Sequence, residues 1–217
     1  MISIKDEGTD RRKVFEKWER RVLLSKGIKT TFFFAKRHPY GGRYGNFQSM
    51  LDVMKLAYSN DNVPYLLILE DDAKPTKYAD MRKVKSAIQR LNSEYPSWEI
   101  LYLGYYNVFN QVPVFPGVTE GLCVATHSFV VSRKGMKHLL ETLPKYLDEK
   151  KKDVVSPTDL AIIEVLKKSE HVSFCTVPMM FTQSGNVMGS KQDDPTIVNH
   201  YSAKVQESEE MYKLTKL

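Results

Sequence analysis

The chain has 217 residues, of which 42% are apolar and 27% are charged, and this composition excludes an intrinsically disordered protein. Lys and Arg outnumber Asp and Glu by 32 to 26, but they are spread along the chain, which argues against a nucleic-acid partner and favours a small anionic ligand. The sequence contains neither an apolar run of about 18 residues nor a signal-like leader, so we expect no membrane insertion and a cytoplasmic location.

The length predicts a single domain over residues 1–217, with a core over residues 1–200 and a C-terminal helix or tail over residues 201–217. Cys123 and Cys175 lie in apolar, strand-like surroundings. We therefore interpret them as small buried residues rather than as a disulfide or a metal-binding pair.

The N-terminal segment predicts a short strand over residues 1–5 and then a helix. Asp10 is in position to cap this helix, and Arg11 and Arg12 follow in its first turn. Two arginines at this position can contact a nucleotide phosphate, or they can be solvated surface charges. Both are candidate cofactor-binding residues.

Residues 28–35 are mainly β-branched and aromatic, and they predict a second strand. A polar, glycine-rich loop follows, and the next helix is expected to start near Asn46 and Gln48. The free N–H groups of that helix start, with Gly45 just before it, would suit an anion. The alternative is an ordinary surface loop capped by Asn46, since no Walker or GxGxxG pattern is present.

The most informative segment is residues 65–72. Five apolar residues, too few to span a membrane, predict a strand buried on both faces, and they run directly into Glu70, Asp71 and Asp72. Adjacent carboxylates repel each other, and a hard cation such as Mn²⁺ or Mg²⁺ would neutralise them. Ligands of α/β proteins bind beyond the carboxyl ends of strands, so we predict a metal and diphosphate site here. The alternative is an acidic turn that caps the following helix.

The middle of the chain continues the pattern of strands and helices. The apolar spacing of residues 81–91 predicts a helix, and residues 98–104 predict another strand. This order predicts an α/β fold with a mostly parallel central sheet flanked by helices. Residues 105–121 predict hairpins or irregular structure, and residues 122–131 predict a strand. Within that strand, His127 is either a hydrogen-bonded, semi-buried residue or a ligand-binding one.

Two serines are predicted to cap the last two helices. Ser132 begins one, and Ser156, followed by Pro157, begins the other. The second cap would explain Asp159 as part of a capping box. A carboxylate at a helix start can also act as a base or accept a hydrogen bond from a sugar hydroxyl, so Asp159 is also a candidate catalytic residue.

The C-terminal part predicts a late strand over residues 171–177. The polar loop of residues 181–190 is long enough to cover a site. His200 lies beyond it and is either a surface residue or a further metal ligand.

Several of these segments, in order, resemble the GT-A glycosyltransferases, and most of all the lipopolysaccharide-type enzymes of family 25. The matching segments are residues 45–49, 69–73, 98–104, 129–135, 158–160 and 178–183. The whole chain is also similar to the N-terminal glycosyltransferase domains of chlorovirus proteins that glycosylate the capsid. This resemblance implies a GT-A fold, a nucleotide-sugar donor, a glycan or glycoprotein acceptor, further domains in the full-length protein and, for a viral enzyme, the host cytoplasm.

Carried over by position, the DxD motif of the family falls on Glu70, Asp71 and Asp72. The resemblance implies that Asp72 binds Mn²⁺ or Mg²⁺ directly, while Glu70 and Asp71 face the ribose and bound waters. Glu at the first place departs from strict Asp-x-Asp. Its additional methylene argues against a direct bond from Glu70 to the metal.

The sequence thus predicts a metal-dependent hexosyl- or deoxyhexosyltransferase that uses a nucleoside-diphosphate sugar, which we expect to be linked to uridine diphosphate. The resemblance places Asp159 on the acceptor side, as the base of an inverting enzyme or a positioning group of a retaining one, and makes Gln183 a candidate cofactor-binding residue. Two alternatives stay open. They are a metal-dependent nucleotidyl- or phosphotransferase and a non-catalytic nucleotide-sugar-binding module.

Overall fold

The computed structural model describes residues 2–4 and 9–183. The strands are β1 (Ile2–Ile4), β2 (Phe33–Ala35), β3 (Tyr65–Leu69), β4 (Ala73–Pro75), β5 (Ile100–Gly104), β6 (Asn107–Phe115), β7 (Val118–Val124), β8 (Ser128–Ser132), β9 (Leu147–Asp148), β10 (Asp153–Val154), β11 (Ser173–Thr176) and β12 (Phe181–Gln183). The α-helices are α1 (Thr9–Val22), α2 (Gly42–Tyr58), α3 (Met81–Glu94), α4 (Arg133–Thr142) and α5 (Thr158–Leu166). The predicted C-terminal tail and His200 lie outside the described residues.

The fold is α/β, with a mixed six-stranded sheet in the order β3-β8-β5-β11-β7-β6 and helices on both faces. β5 and β11 pair in parallel, whereas β8 is antiparallel to both β3 and β5, and β7 is antiparallel to β11 and β6. The prediction of a mostly parallel sheet was therefore wrong. β3, α3 and β5 do form a unit whose two strands run in the same direction, but β8 inserts between those strands.

A hydrophobic core covers each face of this sheet. Ile100 and Tyr102 belong to the core that includes α2, α4 and α5, whereas Leu101 and Leu103 belong to the core that includes α1 and α3. All five residues of β5 are buried. Because burial of a Leu or Ile side chain contributes about 1.5–3 kcal/mol, an apolar run without alternation is stable as a strand between two helical layers.

Several predicted elements are confirmed. α3 covers the predicted helical stripe, and β5 and β11 lie within the predicted strands. Ser132 caps α4, because its hydroxyl accepts a hydrogen bond from the N–H of Gly135 at 3.0 Å. Cys123 and Cys175 are both free thiols and fully buried, as the sequence predicted.

Other boundaries differ from the prediction. β2 is shorter than the predicted strand of residues 28–35, and α1 begins at Thr9 rather than after a cap at Asp10. The segment of residues 105–121, for which hairpins or irregular structure were predicted, contains most of the hairpin β6–β7. The strand predicted over residues 122–131 is interrupted, because residues 125–127 separate β7 from β8. Among the described residues, no helix combines the length and the apolar character needed to cross a membrane.

Candidate acidic site

The acidic residues lie where several strand ends meet. Because β3, β5 and β11 run in the same direction, their carboxyl ends share one edge of the sheet, and β8 begins at that edge. Glu70 directly follows β3, and a short antiparallel pair, β4 with β12, brings Gln183 opposite Ala73. The acids lie at the carboxyl end of β3, as predicted. The prediction that this strand is buried on both faces was wrong, because β3 is an edge strand of the six-stranded sheet and only Ile68 and Leu69 are fully buried.

Glu70 is held by hydrogen bonds from two side chains. The Thr126 hydroxyl donates a hydrogen bond to Oε1 of Glu70 at 2.8 Å, and Nε2 of Gln183 donates one to Oε2 at 3.3 Å. Loss of hydration and repulsion by Asp72 raise the pKa of Glu70 to about 7, against the lowering effect of the Thr126 hydrogen bond. Asp71 contributes further repulsion. The site therefore concentrates negative charge in a partly buried place.

Asp159 belongs to the same site. It lies in the first turn of α5, where its Oδ1 accepts the N–H of Leu160 at 2.9 Å, and its charge also helps to raise the pKa of Glu70. The predicted cap at Ser156 was wrong, because Pro157 occupies the N-cap position and makes no side-chain cap. A proline has no side-chain acceptor, so a capping box does not explain Asp159.

His127 lies beside these acids and is 1% exposed. Its backbone carbonyl accepts the N–H of Glu70 at 2.9 Å, but neither ring nitrogen has a hydrogen-bond partner among the described residues. Burial lowers the pKa of His127 to about 4, although the nearby carbonyl of Phe181 opposes this shift. The imidazole is therefore neutral near pH 7, and it is buried more deeply than the sequence predicted.

No family model matches the chain, and no curated protein matches it in sequence. Its fold is similar to that in the crystal structure of A197 from STIV, with a TM-score of 0.44 and 11% sequence identity. That alignment covers 80% of this chain and 90% of A197. A likeness at this level says nothing about what the chain does.

The described residues do not form a complete metal site. Within residues 2–4 and 9–183, no group of three or more His, Cys, Asp or Glu side chains is placed to hold a metal ion. Glu70 and Asp72 nevertheless fit a hard cation, because one oxygen of each is within hydrogen-bond distance of the same Gln183 amide. Mg²⁺-type ions commonly take one or two carboxylates and complete their coordination with substrate phosphates and water.

The sequence placed the start of α2, and with it the predicted anion-binding N–H groups, too late in the chain. α2 begins at Gly42, so the N–H of Gly45 is already bonded to the carbonyl of Gly41 at 3.0 Å. Asn46 is exposed, and Nε2 of Gln48 donates to Oδ1 of Asp52 at 2.8 Å. The binding roles of Gly45, Asn46 and Gln48 stay predictions. The free N–H groups of the helix start do not support them, because these three residues lie inside α2.

Of the two candidate arginines in α1, Arg12 packs against an aromatic ring. The guanidinium of Arg12 lies 5.3 Å from the ring centroid of Phe34, in a cation–π contact. The side chain of Arg11 lies outside the description. A role for either arginine in binding phosphate stays a prediction.

Two site residues were missed by sequence reasoning. Thr126 donates the shortest hydrogen bond recorded to Glu70, and the interruption of an apolar run at residues 126–128 was the signal for it. Gly104 lies so close to the His127 ring and the carbonyl of Phe181 that a Cβ atom would collide with both. A glycine at the end of a fully buried strand was its only sequence signal.

Proposed function

We propose that this chain is a metal-dependent glycosyltransferase of the GT-A type that transfers a sugar from a nucleoside-diphosphate sugar to a glycan or glycoprotein acceptor. Uridine diphosphate is the nucleotide that we propose for the donor. The observation that carries the proposal is the set of carboxylates of Glu70, Asp72 and Asp159 at one strand edge, close enough to shift the pKa of Glu70. Such a charge cluster is costly unless a ligand compensates it.

Asp72 is the residue that would hold Mn²⁺ or Mg²⁺. When bound, the cation supplies positive charge that stabilises the diphosphate as it leaves the anomeric carbon. Glu70 is restrained by Thr126, so its carboxylate is a fixed feature of the donor side rather than a mobile arm. Together with Asp71, it would bind the ribose and ordered water, and its Oε2 atom, which shares the Gln183 amide with Oδ1 of Asp72, would also face the cation.

Asp159 would act on the acceptor side. Its place in the first turn of α5 sets a carboxylate near Glu70 without using the serine that precedes the helix. In an inverting reaction it takes the proton of the acceptor hydroxyl, and in a retaining reaction it orients the sugar. In both cases its removal lowers turnover.

His127 would contact an uncharged part of the donor. A neutral imidazole carries one N–H donor and one acceptor nitrogen, which matches a sugar hydroxyl better than a phosphate. Its low pKa keeps it neutral throughout the physiological range. The cation and the N-terminal arginines would then provide the charge for the diphosphate.

The test is product analysis with a panel of nucleotide-sugars, with and without Mn²⁺. We expect release of nucleoside diphosphate that depends on the metal and is abolished by Asp72→Asn. Asp61→Asn is the matched control, since Asp61 is highly exposed near the other end of β3 and forms a surface ion pair with Arg133.

Other products would contradict the proposal. Release of pyrophosphate or nucleoside monophosphate would identify a nucleotidyl- or phosphotransferase. Binding of the nucleotide-sugar without any turnover, weakened by Asp72→Asn, would identify a non-catalytic binding module.

A further inference from the structure

The side-chain amide of Gln183 lies between two of the acids. Its Nε2 atom is 3.3 Å from Oε2 of Glu70 and 3.4 Å from Oδ1 of Asp72. The pairing of β12 with β4 sets this position, because Gln183 lies directly opposite Ala73, the residue that follows the acids. One amide nitrogen therefore faces one oxygen from each of two carboxylates.

The other oxygen of Glu70 has its own partner. Thr126 donates to Oε1 at 2.8 Å, so it holds the carboxylate in place independently of Gln183. Oε2 of Glu70 and Oδ1 of Asp72 both lie close to the same nitrogen atom, at 3.3 Å and 3.4 Å. Two oxygens that converge on one point are an arrangement that suits a hard cation.

The amide is a poor partner for these two charges. Both N···O distances are longer than the usual range of about 2.7–3.2 Å for an N–H···O hydrogen bond. An amide also has no net charge, so it does not cancel the repulsion between the two carboxylates that it contacts. A divalent cation would do so.

A second observation beside the acids also indicates a ligand. The imidazole of His127 is almost completely buried, and neither of its nitrogens makes a hydrogen bond of good geometry within residues 2–4 and 9–183, although the Phe181 carbonyl lies near the ring. Buried polar groups without a partner are rare in folded proteins and are typical of ligand or water sites. This imidazole precedes β8 at the same edge of the sheet as Glu70.

From this geometry we infer that Gln183 occupies, in the metal-free protein, the position that a divalent cation takes between Glu70 and Asp72, so that amide and cation compete for the same two oxygens. The inference rests on the proposed function for the presence of the cation. It makes Gln183 a positioning residue that restrains the acids until metal binds. Its removal should therefore tighten metal binding, which is the opposite of what the loss of a metal- or donor-binding residue would do.

The experiment measures Mn²⁺ binding to the full chain without nucleotide, by water-proton relaxation. Gln183→Met keeps the length of the side chain and removes its donor. We expect it to bind Mn²⁺ about fivefold more tightly than the wild type, the effect of removing one competing hydrogen bond. Thr182→Val is the matched control, because neighbouring residues of a strand point to opposite faces, and it should bind Mn²⁺ like the wild type.

Three further measurements make the result independent of one variant. Gln183→Ala should also bind Mn²⁺ more tightly, and thermal unfolding in a chelator establishes that both variants are folded. In nitrogen-15 spectra, the side-chain amide signals of Gln183, assigned by their absence from Gln183→Met, should shift when diamagnetic Mg²⁺ is added.

The outcomes separate this inference from the proposed function. Unchanged or weaker Mn²⁺ binding in both folded variants, or amide signals unaffected by bound Mg²⁺, would overturn the role of Gln183. The proposed glycosyltransferase function would still stand if the protein releases nucleoside diphosphate in a metal-dependent reaction. A wild-type chain that binds no divalent cation would overturn both.

Discussion

The hydroxyl of Thr126 donates a 2.8 Å hydrogen bond to the carboxylate of Glu70, a residue 56 positions earlier in the chain. This contact joins the segment before β8 to the end of β3. The same hydrogen bond lowers the pKa of Glu70 and so limits the rise caused by burial and by Asp72. The shorter of the two side-chain hydrogen bonds that hold Glu70 therefore comes from a neutral hydroxyl.

Thr126→Val should raise the pKa of Glu70 above its value of about 7, since it removes a hydrogen bond to the charged form. We expect kcat/KM for a nucleotide-sugar to fall about tenfold as Glu70 loses its orientation. Carbon-13 spectra of the glutamate carboxyl groups, with the Glu70 signal assigned from Glu70→Gln, measure the pKa.

Thr119→Val is the matched control for this substitution. Thr119 is also buried, but its hydroxyl has no hydrogen-bond partner among the described residues. Its replacement by an isosteric apolar side chain should leave activity unchanged and stability equal or higher. A Glu70 pKa that is the same in Thr126→Val and in the wild type would contradict the assigned contact.

His127 should make the protein less stable in acid. Its pKa is lowered from 6.5 to about 4 on folding, so the unfolded chain binds the proton more tightly. The stability that it contributes is fully present above pH 6.5 and is lost as the pH falls toward 4. Between pH 7 and pH 4 this loss is about 3 kcal/mol.

Urea unfolding of the wild type and of His127→Gln at several pH values measures this effect. The difference in unfolding free energy between the two proteins should shrink as the pH falls, because the variant has no imidazole to protonate. A difference that does not vary between pH 7 and pH 4 would show that the ring is solvated or already paired in solution.

Glu70 should have the opposite dependence on pH. Its pKa is raised from 4.5 to about 7 on folding, so the stability contributed by the protonated form is present below pH 4.5 and is lost as the pH rises through 7. Without metal at pH 8, Glu70→Gln should therefore be more stable than the wild type. Thermal unfolding with and without Mn²⁺ checks this, and Mn²⁺ should raise the melting temperature of the wild type more than that of the variant.

A lower melting temperature for Glu70→Gln than for the wild type at pH 8 without metal would contradict this explanation. It would mean that the ionised carboxylate is already compensated within the protein. Asp71→Asn provides a comparison, because Asp71 raises the pKa of Glu70 less than Asp72 does. Its gain in stability at pH 8 should be smaller than that of Glu70→Gln.

Asp159→Asn should lower turnover with little effect on donor binding. We expect kcat to fall by about 10²–10⁴ if Asp159 is the base, while the affinity for uridine diphosphate and Mn²⁺ stays within about twofold. Glu164→Gln, in the same helix, is the control, since Glu164 forms an exposed pair with Lys167. Loss of donor affinity in Asp159→Asn would place this residue on the donor side instead.

Local sequence patterns predicted the parts of this protein that depend on neighbouring residues. The five apolar residues before Glu70 identified β3 and placed the acids at its end, and Ser132 identified the start of α4. The start of α2 and the cap of α5 were mistaken, because Gly41 and Pro157 occupy the N-cap positions and neither makes a side-chain cap. Side-chain patterns do not predict helix starts that lack a side-chain cap.

The sequence by itself determined that an acidic cluster follows an apolar strand, because a run of five apolar residues and the repulsion of three acids are both properties of adjacent positions. Only the tertiary structure decided that β8 lies between β3 and β5, that Thr126 and Gln183 hold Glu70, and that Asp159 faces the same site. The physical reason is that strand pairing and side-chain hydrogen bonds join residues 56 and 113 positions apart. Their energies depend on the packing of the whole sheet and not on any local run of residues.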